Sequence, residues 1–414
     1  MNSKALSQSI KALRANPVRT VLTTIGIMIG IATVIAVLSA GAGFKALINN
    51  EVASLGNNTL FIKTRIPPTT KNRAANEALT PGIAVGITTF KQRDLDDIKK
   101  LNNVVNDYGM VTGMAVANYR SNNKSVIYYG SSYERFLIDQ HQLSAGRFYS
   151  QAEDTGASQV AILGSKLATD LFVQDDPLGK LVRVGNLNFL VIGVYKSQGG
   201  GETGPDGGLY MPLRTAQDKM LGINYITIGV VQLQNTNLAD ATAQQIKQTL
   251  MRNHSITDPA KNDFIVVTQA QVLDIYNTIF NGITILLICI ASISLVVGGV
   301  GIMNIMYVVV TERTSEIGLK KALGAKSSDI LKEFLIESVL VTVLGGIIGI
   351  IFGTLLSWLI AVVATYAGLT WVFTVPLYAI IIAVGVSAVI GISFGVLPAK
   401  SAAGLDPIEA LRYE

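Results

Sequence analysis

The most distinctive charged residues of the sequence form a short segment, TERTSEIGLKKALGAK, at positions 311–326. It follows a long apolar run, and its apolar residues Ile317, Leu319, Ala322 and Leu323 are spaced to form one stripe of a helix. Gly324 stands where such a helix would terminate. An ordered basic segment between two apolar runs favours docking of a soluble protein, and the alternative interpretation is a solvated basic linker.

Motifs for catalysis and metal binding are missing from the sequence. It contains no Walker A motif, so we do not expect this chain to hydrolyse ATP. It also has no nucleophile elbow, no H-E-x-x-H motif and no carboxylate pair suited to acid–base catalysis. The single cysteine excludes a disulfide framework or a cysteine-based metal site, and for His141 and His254 we expect structural or surface roles. We therefore predict no catalytic residues, no bound metal and no cofactor.

The composition indicates a membrane protein. Apolar residues make up 50% of the chain and charged residues 15%, and the mean hydropathy is +0.44. Runs of about 20 apolar residues cross a bilayer, and four such runs predict four transmembrane α-helices. A signal peptide is the rival interpretation of the first run, but 22 uncharged residues exceed the roughly 7–15 of a signal peptide core. The predicted spans are residues 21–42, 278–310, 334–365 and 377–398.

The second apolar run is longer than a bilayer requires. No charged residue occurs between Asp274 and Glu312, so 37 residues can form about 55 Å of helix against roughly 30 Å of hydrocarbon. We predict one continuous helix that extends beyond the membrane as a stalk. The alternative is two elements, a short loop followed by a span.

Residues 43–277 are predicted to fold as a large α+β domain inserted between the first and second spans. They contain 22 Lys and Arg against 20 Asp and Glu, and no further span. Two β-like runs joined by Gly185-Asn186 predict a hairpin, Leu181–Val184 with Leu187–Val194. The glycine-rich segment 198–208 is predicted to be a loop, because no phosphate-binding fingerprint accompanies it. Helices are predicted at Thr89–Leu101, Ser165–Phe172, Leu213–Met220 and Leu238–Arg252, and strands at Thr59–Lys63, Met110–Tyr119 and Ser125–Tyr129.

The distribution of basic residues predicts the orientation. Residues 1–20 carry four Lys and Arg, residues 311–333 carry five, and the short loop 366–376 carries none. The positive-inside rule then places both termini, including the tail 399–414, in the cytoplasm and the α+β domain outside it. Residues 1–20 are further predicted to form an amphipathic helix on the cytoplasmic membrane surface.

Glycines at four-residue spacing occur in three of the spans. Each set lines one helix face and permits close approach of another helix. We expect packing within the chain, and because four helices make a thin bundle, one such face is also a candidate contact with a second copy of the chain. The glycines are Gly26, Gly30, Gly345, Gly349, Gly353, Gly391 and Gly395.

Three parts of the sequence resemble a known family. Asn304-Ile305-Met306, Thr311-Glu312-Arg313, Glu316-Ile317-Gly318 and Lys321-Ala322-Leu323-Gly324-Ala325 are similar to the signature of MacB/FtsX-like ABC-transporter permeases. The C-terminal run LPAKSAAGLDPIEALRYE and the N-terminal RANPVRTVLTTIGIMIG resemble the ends of the same family. The resemblance therefore covers nearly the whole chain.

The resemblance implies a function. It implies a homodimeric permease in the bacterial cytoplasmic (inner) membrane, driven by an ABC ATPase that binds ATP and Mg. Because no ATPase domain is fused to this sequence, we predict a separate ATPase subunit. It also implies an outer domain with a distal insertion at roughly 65–145. The residues predicted to form the ATPase-coupling loop are Glu312, Arg313, Glu316, Ile317, Gly318, Lys320, Lys321, Ala322, Leu323, Gly324 and Ala325.

The implied mechanism is mechanotransmission. Motion of the ATPases would shift the coupling loops, and the stalk would relay that motion to the outer domain, driving efflux or release of a peptide, antibiotic, lipid or lipoprotein. A periplasmic adaptor or an extracellular protein is a further candidate partner, and no nucleic acid is expected. The alternatives are an FtsX-like regulator that activates an extracellular cell-wall hydrolase and a membrane-tethered enzyme with its chemistry in 43–277.

Overall fold

The computed structural model describes residues 17–54, 56, 58–67, 87–197, 199 and 204–411. The chain divides into two compact units. We call them the helical unit (Met1–Ala46, Asn277–Val363 and Trp371–Glu414) and the α+β unit (Leu47–Tyr276 and Ala364–Thr370). The predicted amphipathic helix before Pro17 lies outside the described residues, as do residues 198 and 200–203 of the predicted glycine-rich loop.

Four long helices are apolar and long enough to cross a membrane. Their length follows from long uncharged runs, because a helix satisfies the backbone hydrogen bonding that a bilayer demands. The fourth contains one proline, Pro398, near its C-terminal end. The bounds of the first, second, third and fourth long helices are Pro17–Ser54, Gln269–Glu312, Ser327–Tyr366 and Leu377–Gly404.

The second long helix is continuous. Its 44 residues have no break, which confirms one helix and excludes the two-element alternative. At about 1.5 Å per residue it is roughly 66 Å long, about twice the hydrocarbon thickness of a bilayer.

Two short helices accompany the long ones. Thr314–Ala322, here named the coupling helix, joins the second long helix to the third. Pro407–Leu411, here named the tail helix, follows the fourth. The apolar core of the helical unit includes Ile27, Ile31 and Ile35 of the first long helix, and Ile317 of the coupling helix belongs to the same cluster.

The α+β unit is built on one mixed sheet, which has ten strands within the described residues. The strand order is β10-β1-β9-β2-β3-β8-β5-β7-β4, and β6 pairs with β2 and β7. Only β3/β8 and β5/β7 are parallel. The strands are β1 (Thr59–Thr64), β2 (Val104–Tyr119), β3 (Asn122–Ser131), β4 (Leu143–Gly146), β5 (Val160–Leu163), β6 (Leu181–Val184), β7 (Leu187–Tyr195), β8 (Leu209–Pro212), β9 (Ile228–Leu233) and β10 (Phe264–Thr268).

The helices of the α+β unit are short. Two predicted helices are present with nearly the predicted bounds, Ser165–Phe172 and Ala239–Asn253. The predicted Leu213–Met220 helix is instead one α-helical turn, Leu213–Thr215, followed by π-helix at Ala216–Leu221. The remaining α-helices are Gln92–Ile98, Arg135–Ile138 and Gln151–Thr155, and the 3₁₀ turns are Pro205–Gly207, Thr236–Leu238 and Pro259–Lys261.

The predicted hairpin is confirmed. Leu181 to Val184 pairs with Leu190 to Leu187 in antiparallel register, leaving the two-residue turn Gly185-Asn186. Gly185 has φ +58°, in the left-handed region that two-residue hairpins require and that glycine adopts without strain.

The two largest of four apolar clusters in the described part of the α+β unit are built from different strands. One combines β1, β9 and β10 with the helices Gln92–Ile98 and Ala239–Asn253. The other runs from Val111 to Ala216 and gathers β2, β3 and β5–β8 around the helix Ser165–Phe172. Residues 68–86 of the insertion predicted at roughly 65–145 lie outside the described residues, and its bounds remain a prediction.

Candidate functional site

The coupling helix is delimited by two local features of the chain. At its start, Arg313 leaves the helical geometry of the second long helix, with φ −106° and ψ 14°. At its end, the Gly324 N–H donates to the Lys321 carbonyl at 3.0 Å and the Ala325 N–H donates to the Lys320 carbonyl at 3.0 Å. This pair of bonds is a Schellman motif, and Gly324 supplies the positive φ, +94°, that it needs. The predicted terminating role of Gly324 is confirmed.

One face of the coupling helix is buried within the chain. Ile317 is 2% exposed and Gly318 is buried. A Cβ atom added at Gly318 would lie 2.8 Å from the Ala410 Cβ and 3.2 Å from the Leu411 backbone nitrogen. The coupling helix therefore packs directly against the tail helix, at a position where only glycine fits.

Ion pairs and hydrogen bonds fix the coupling helix to the neighbouring long helices. Arg313 Nη1 lies 3.2 Å from Glu337 Oε2, and Lys320 Nζ lies 2.7 Å from Glu333 Oε1, both on the third long helix. Lys321 Nζ donates to the carbonyl oxygens of Ala403 (2.6 Å) and Leu405 (2.7 Å). These carbonyls end the fourth long helix, where a lysine both satisfies unpaired acceptors and complements the helix dipole.

The predicted coupling residues thus divide into two groups. Five of them make the internal contacts described above: Arg313, Ile317, Gly318, Lys320 and Lys321. Five others are exposed, and Ala325 is half-buried. The exposed ones are Glu312, Glu316, Ala322, Leu323 and Gly324, together with Leu319 of the predicted stripe.

Glu333 and Glu337 are not among the predicted coupling residues, although the spacing of charged residues in the sequence indicates that they pair with cations. They are four residues apart on one helix face, and Arg313 and Lys320 are seven apart, again on one face. Two cations on one helix face and two anions on one face of the next helix indicate paired helices. Glu337, which is 4% exposed, is an anchor for Arg313 in the described structure.

The predicted packing glycines lie against other helices of the same chain. A Cβ at Gly26 would lie 2.9 Å from Gly298 Cα, and one at Gly30 would lie 2.6 Å from the side chain of Leu295. The third and fourth long helices repeat this pattern, with Gly395 facing Ser338. Gly349 faces Ile31, Gly353 faces Ile35, Gly391 faces Thr342, and Gly345 is buried in the third long helix.

These contacts occupy glycine faces on the first, third and fourth long helices. Because six of the seven predicted glycines face neighbouring helices of the same chain, we do not place a homodimer contact on those faces.

The α+β unit holds a buried charged cluster around His254. Its ring Nδ1 lies 2.8 Å from Asp263 Oδ1, and its Nε2 lies 3.5 Å from Asp94 Oδ2. Burial alone lowers the pKa of His254, but the hydrogen bonds and charges of Asp263 and Asp94 outweigh it and raise the pKa to about 9. The His254 ring is therefore positively charged near neutral pH, and its role is structural. Across the described part of the chain, no group of three or more His, Cys, Asp or Glu side chains is placed to hold a metal.

Together, the fold and the site define a class of protein. Four apolar helices carry a folded α+β domain between the first two, and an ordered helix anchored by ion pairs joins the second to the third. The predicted fold class is confirmed by this arrangement. Such a molecule is a membrane protein with a large folded domain outside the bilayer.

Comparison with known proteins gives the family. The family described as MacB-like periplasmic core domain matches residues 20–249, and the FtsX-like permease C-terminal family matches residues 288–407. The chain belongs to the MacB/FtsX-like ABC-transporter permease family. The matched domain is periplasmic by its family description, which agrees with the predicted extracytoplasmic location of the α+β domain.

Relatives match over almost the entire chain. The macrolide export ATP-binding/permease protein MacB of Bdellovibrio bacteriovorus is 34% identical over 417 residues, which cover 99% of this chain and 61% of that protein. MacB of Chlorobaculum tepidum is 36% identical over 413 residues, covering 98% of this chain and 61% of that protein. The chain thus spans about three-fifths of the length of these relatives. The periplasmic region of MacB from Actinobacillus actinomycetemcomitans matches 56% of this chain and 97% of that structure at 19% identity, with a TM-score of 0.44.

Proposed function

We propose that this chain is the permease component of a MacB-like ABC transporter and that the coupling helix receives the motion of an ABC ATPase. The observation that carries the proposal is the anchoring of that helix. It follows directly from the second long helix, pairs with Glu333 and Glu337 of the third, and is hydrogen-bonded to the end of the fourth. A force on its outer face would reach three long helices at once.

The second long helix supplies the path for that force. It is one helix from Gln269 to Glu312, and a continuous hydrogen-bond ladder transmits displacement along its axis. Its N-terminus follows β10 directly in the chain, so motion of the helix would reach the sheet of the α+β unit. We propose that ATP binding and hydrolysis at the ATPase change the conformation of the extracytoplasmic domain by this route.

The ATPase itself lies outside these 414 residues, which contain no Walker A motif. We propose that it is a separate cytoplasmic subunit, and that ATP and Mg are bound there. We also propose a homodimer of this chain in the bacterial inner membrane, with both termini in the cytoplasm, in agreement with the distribution of Lys and Arg.

The cargo is proposed to be handled outside the bilayer, as a peptide, antibiotic, lipid or lipoprotein. Because the relatives above are named for macrolide export, a macrolide is the first compound to test. These relatives match 98–99% of this chain, which favours transport over regulation of a cell-wall hydrolase.

Co-purification tests the partnership. The tagged chain is expected to retain a Walker A-containing ATPase on isolation from its own membranes, and ATP hydrolysis should disappear when that ATPase is removed. Hydrolysis by the chain alone, with contamination excluded, would overturn the proposal.

Two variants then test the site. Glu316→Arg reverses an exposed charge, and Gly324→Val disrupts the positive-φ end of the coupling helix. Each should reduce retention of the ATPase about tenfold or more. The matched controls are Asp218→Arg, a charge reversal at an exposed residue of the α+β unit, and Gly222→Val, which also has a positive φ and open space around it. Equal retention by all four variants would place the docking surface elsewhere.

A further inference from the structure

Two pairs of large apolar side chains are exposed on the short helices of the helical unit. Leu319 of the coupling helix and Leu323, the residue directly after it, are 55% and 81% exposed. Ile408 and Leu411 of the tail helix are 76% and 52% exposed. Spacings of four and three residues place each pair on one helix face. Clustered exposed apolar side chains of this size mark interaction surfaces.

The two helices that carry these pairs are in direct contact. Gly318 lies against Ala410 and against the backbone of Leu411. Leu319 follows Gly318, and Leu411 follows Ala410, so each pair includes one residue that is adjacent in sequence to this contact, and the two pairs lie on neighbouring helices. They can therefore be covered by one partner.

The tail helix is held in place before any partner binds. The Asp406 side chain accepts the Ile408 N–H at 2.8 Å, and the Asp406 carbonyl accepts the Ala410 N–H at 2.9 Å. Lys321 donates to the carbonyl of Leu405, one residue earlier. A surface fixed in this way loses little conformational freedom on binding, which favours affinity.

Charge indicates what kind of partner covers the surface. Both cations of the two helices are engaged inside the chain, Lys320 with Glu333 and Lys321 with carbonyl oxygens. The other charged side chains of the two helices are Glu316 and Glu409, and both are exposed. An anionic membrane surface attracts Lys and Arg and repels carboxylates, so this charge pattern disfavours lipid. It fits a protein surface with an apolar cleft bordered by Lys or Arg.

We propose that the tail helix is the second half of the ATPase-docking surface, with Ile408 and Leu411 entering the same apolar cleft of the ATPase as Leu319 and Leu323. The proposal rests on the proposed function and adds a second docking element to it. Gly318 has a structural role, because it allows the two helices to approach each other and form one surface. The ATPase would thereby contact the end of the fourth long helix as well as the junction of the second and third.

The experiment measures binding of the ATPase that co-purifies with the wild-type chain, produced with its own tag, to the full-length chain in lipid nanodiscs. Ile408→Glu and Leu411→Glu should each weaken binding about tenfold or more, similar to Leu323→Glu. Glu409→Arg should also weaken it, by reversing a charge at the rim. Val173→Glu is the matched control, because Val173 is 68% exposed in the α+β unit, and it should bind as wild type does.

The outcomes separate this inference from the proposed function. If the wild-type chain binds no ATPase, the proposed function fails. If Leu323→Glu abolishes binding while Ile408→Glu and Leu411→Glu leave it unchanged, the coupling helix docks alone and the inference is wrong.

A spin label distinguishes a protein partner from the membrane surface and does not depend on the glutamate variants folding well. The label is placed by Ile408→Cys in a Cys289→Ser background. In nanodiscs without ATPase it should collide with a water-soluble nickel chelate rather than with lipid-soluble oxygen, and added ATPase should reduce nickel access severalfold. Strong oxygen collisions that the ATPase leaves unchanged would mean that the tail helix lies on lipid, which overturns the proposal.

Discussion

The two units of this chain are stabilised by different means. In the helical unit, backbones approach closely at small residues, such as Gly26 against Gly298, while large side chains such as Ile285 and Val297 point outward. In the α+β unit, large side chains such as Tyr195 and Phe189 fill the interior. The reason is the solvent. In lipid no hydrophobic effect drives helices together, so close packing of backbones and small side chains must hold them. In water, the hydrophobic effect favours burial of large apolar side chains.

Buried charge also differs between the units. The α+β unit encloses Arg135, Asp139 and His254, each paired with opposite charge. In the helical unit, the ion pairs that we describe lie at one end, between the coupling helix region and Glu333 and Glu337. Charge therefore anchors the element proposed to receive force, and the long helices carry that force through apolar contacts and their own hydrogen bonds.

The largest expected effect comes from separating the two units mechanically. Insertion of Gly-Gly-Ser-Gly-Gly between Asn277 and Thr278 interrupts the second long helix where one unit ends and the other begins in the chain. ATPase binding and basal hydrolysis should survive, because the coupling helix is unchanged, and transport should be lost. Both activities are measured on one reconstituted preparation. Retained transport would mean that the α+β domain is driven by another route, or is not driven.

A large loss of stability is expected from the buried cation of the α+β unit. Arg135 Nε lies 2.9 Å from Asp139 Oδ2, and both side chains are almost fully buried. Arg135→Met removes the buried guanidinium that pairs with this carboxylate, which then retains only His141 as a partner within the described residues, at a cost of about 3–5 kcal/mol. Hydrogen exchange in the full-length chain reports the change as faster opening of the sheet. In the control Arg147→Met, which removes the largely exposed partner of Glu153, the loss should be about 1 kcal/mol or less. Equal effects would contradict the assignment of Arg135 as a buried anchor.

A pH-dependent loss of folding stability is expected from the titration of His254. Its pKa is about 9 in the folded chain and about 6.5 when unfolded, so folding favours the charged form. This stabilisation is complete below about pH 6.5 and disappears as the pH rises through about 9, by an amount on the order of 3 kcal/mol. Hydrogen exchange near Asp94 and Asp263, corrected for intrinsic rates, measures it. His254→Gln should flatten the pH dependence, and an unchanged profile would assign it to other groups.

The smallest effect is expected from packing in the helical unit. Gly26→Val forces a side chain into the Gly298 backbone, and overpacking of this kind costs about 1–3 kcal/mol. The matched control is Gly385→Val in the fourth long helix, where a Cβ meets nothing within 4 Å. The measurement is the temperature at which the detergent-solubilised chain loses its monodisperse peak. Similar temperatures for both variants would show that the Gly26 contact does not hold the helices together.

Much of the fold was predictable because its signals are local. An uncharged run specifies a spanning helix by length alone, and the Gly185-Asn186 pair specifies a hairpin because few residues tolerate a positive φ. The end of the coupling helix at Gly324 was predictable for the same reason. Such features depend on neighbouring residues in the sequence, and the structure reproduces them.

The composition of the candidate site was only half predictable. The sequence singled out residues 312–325 as one docking group, since family signature and charge do not distinguish inward from outward side chains. Which cations are paired inside the chain depends on the position of Glu333 and of the fourth long helix, which ends about eighty residues later. The π-helix at Ala216–Leu221 was likewise missed, because a shift of one residue in hydrogen bonding leaves no separate periodic signal.

The sequence by itself determined the membrane class, the four apolar helices, the unbroken length of the second and the presence of an α+β domain between the first two. Only the tertiary structure decided the strand order, with β9 between β1 and β2, the burial of His254 between Asp94 and Asp263, and the pairing of the coupling helix with the tail helix. The physical reason is distance along the chain. Helix formation and turns follow from adjacent residues, whereas the pairing of β1 with β9, of Asp94 with His254 and of Gly318 with Ala410 joins residues about ninety or more positions apart. These partners are selected by packing of the whole unit.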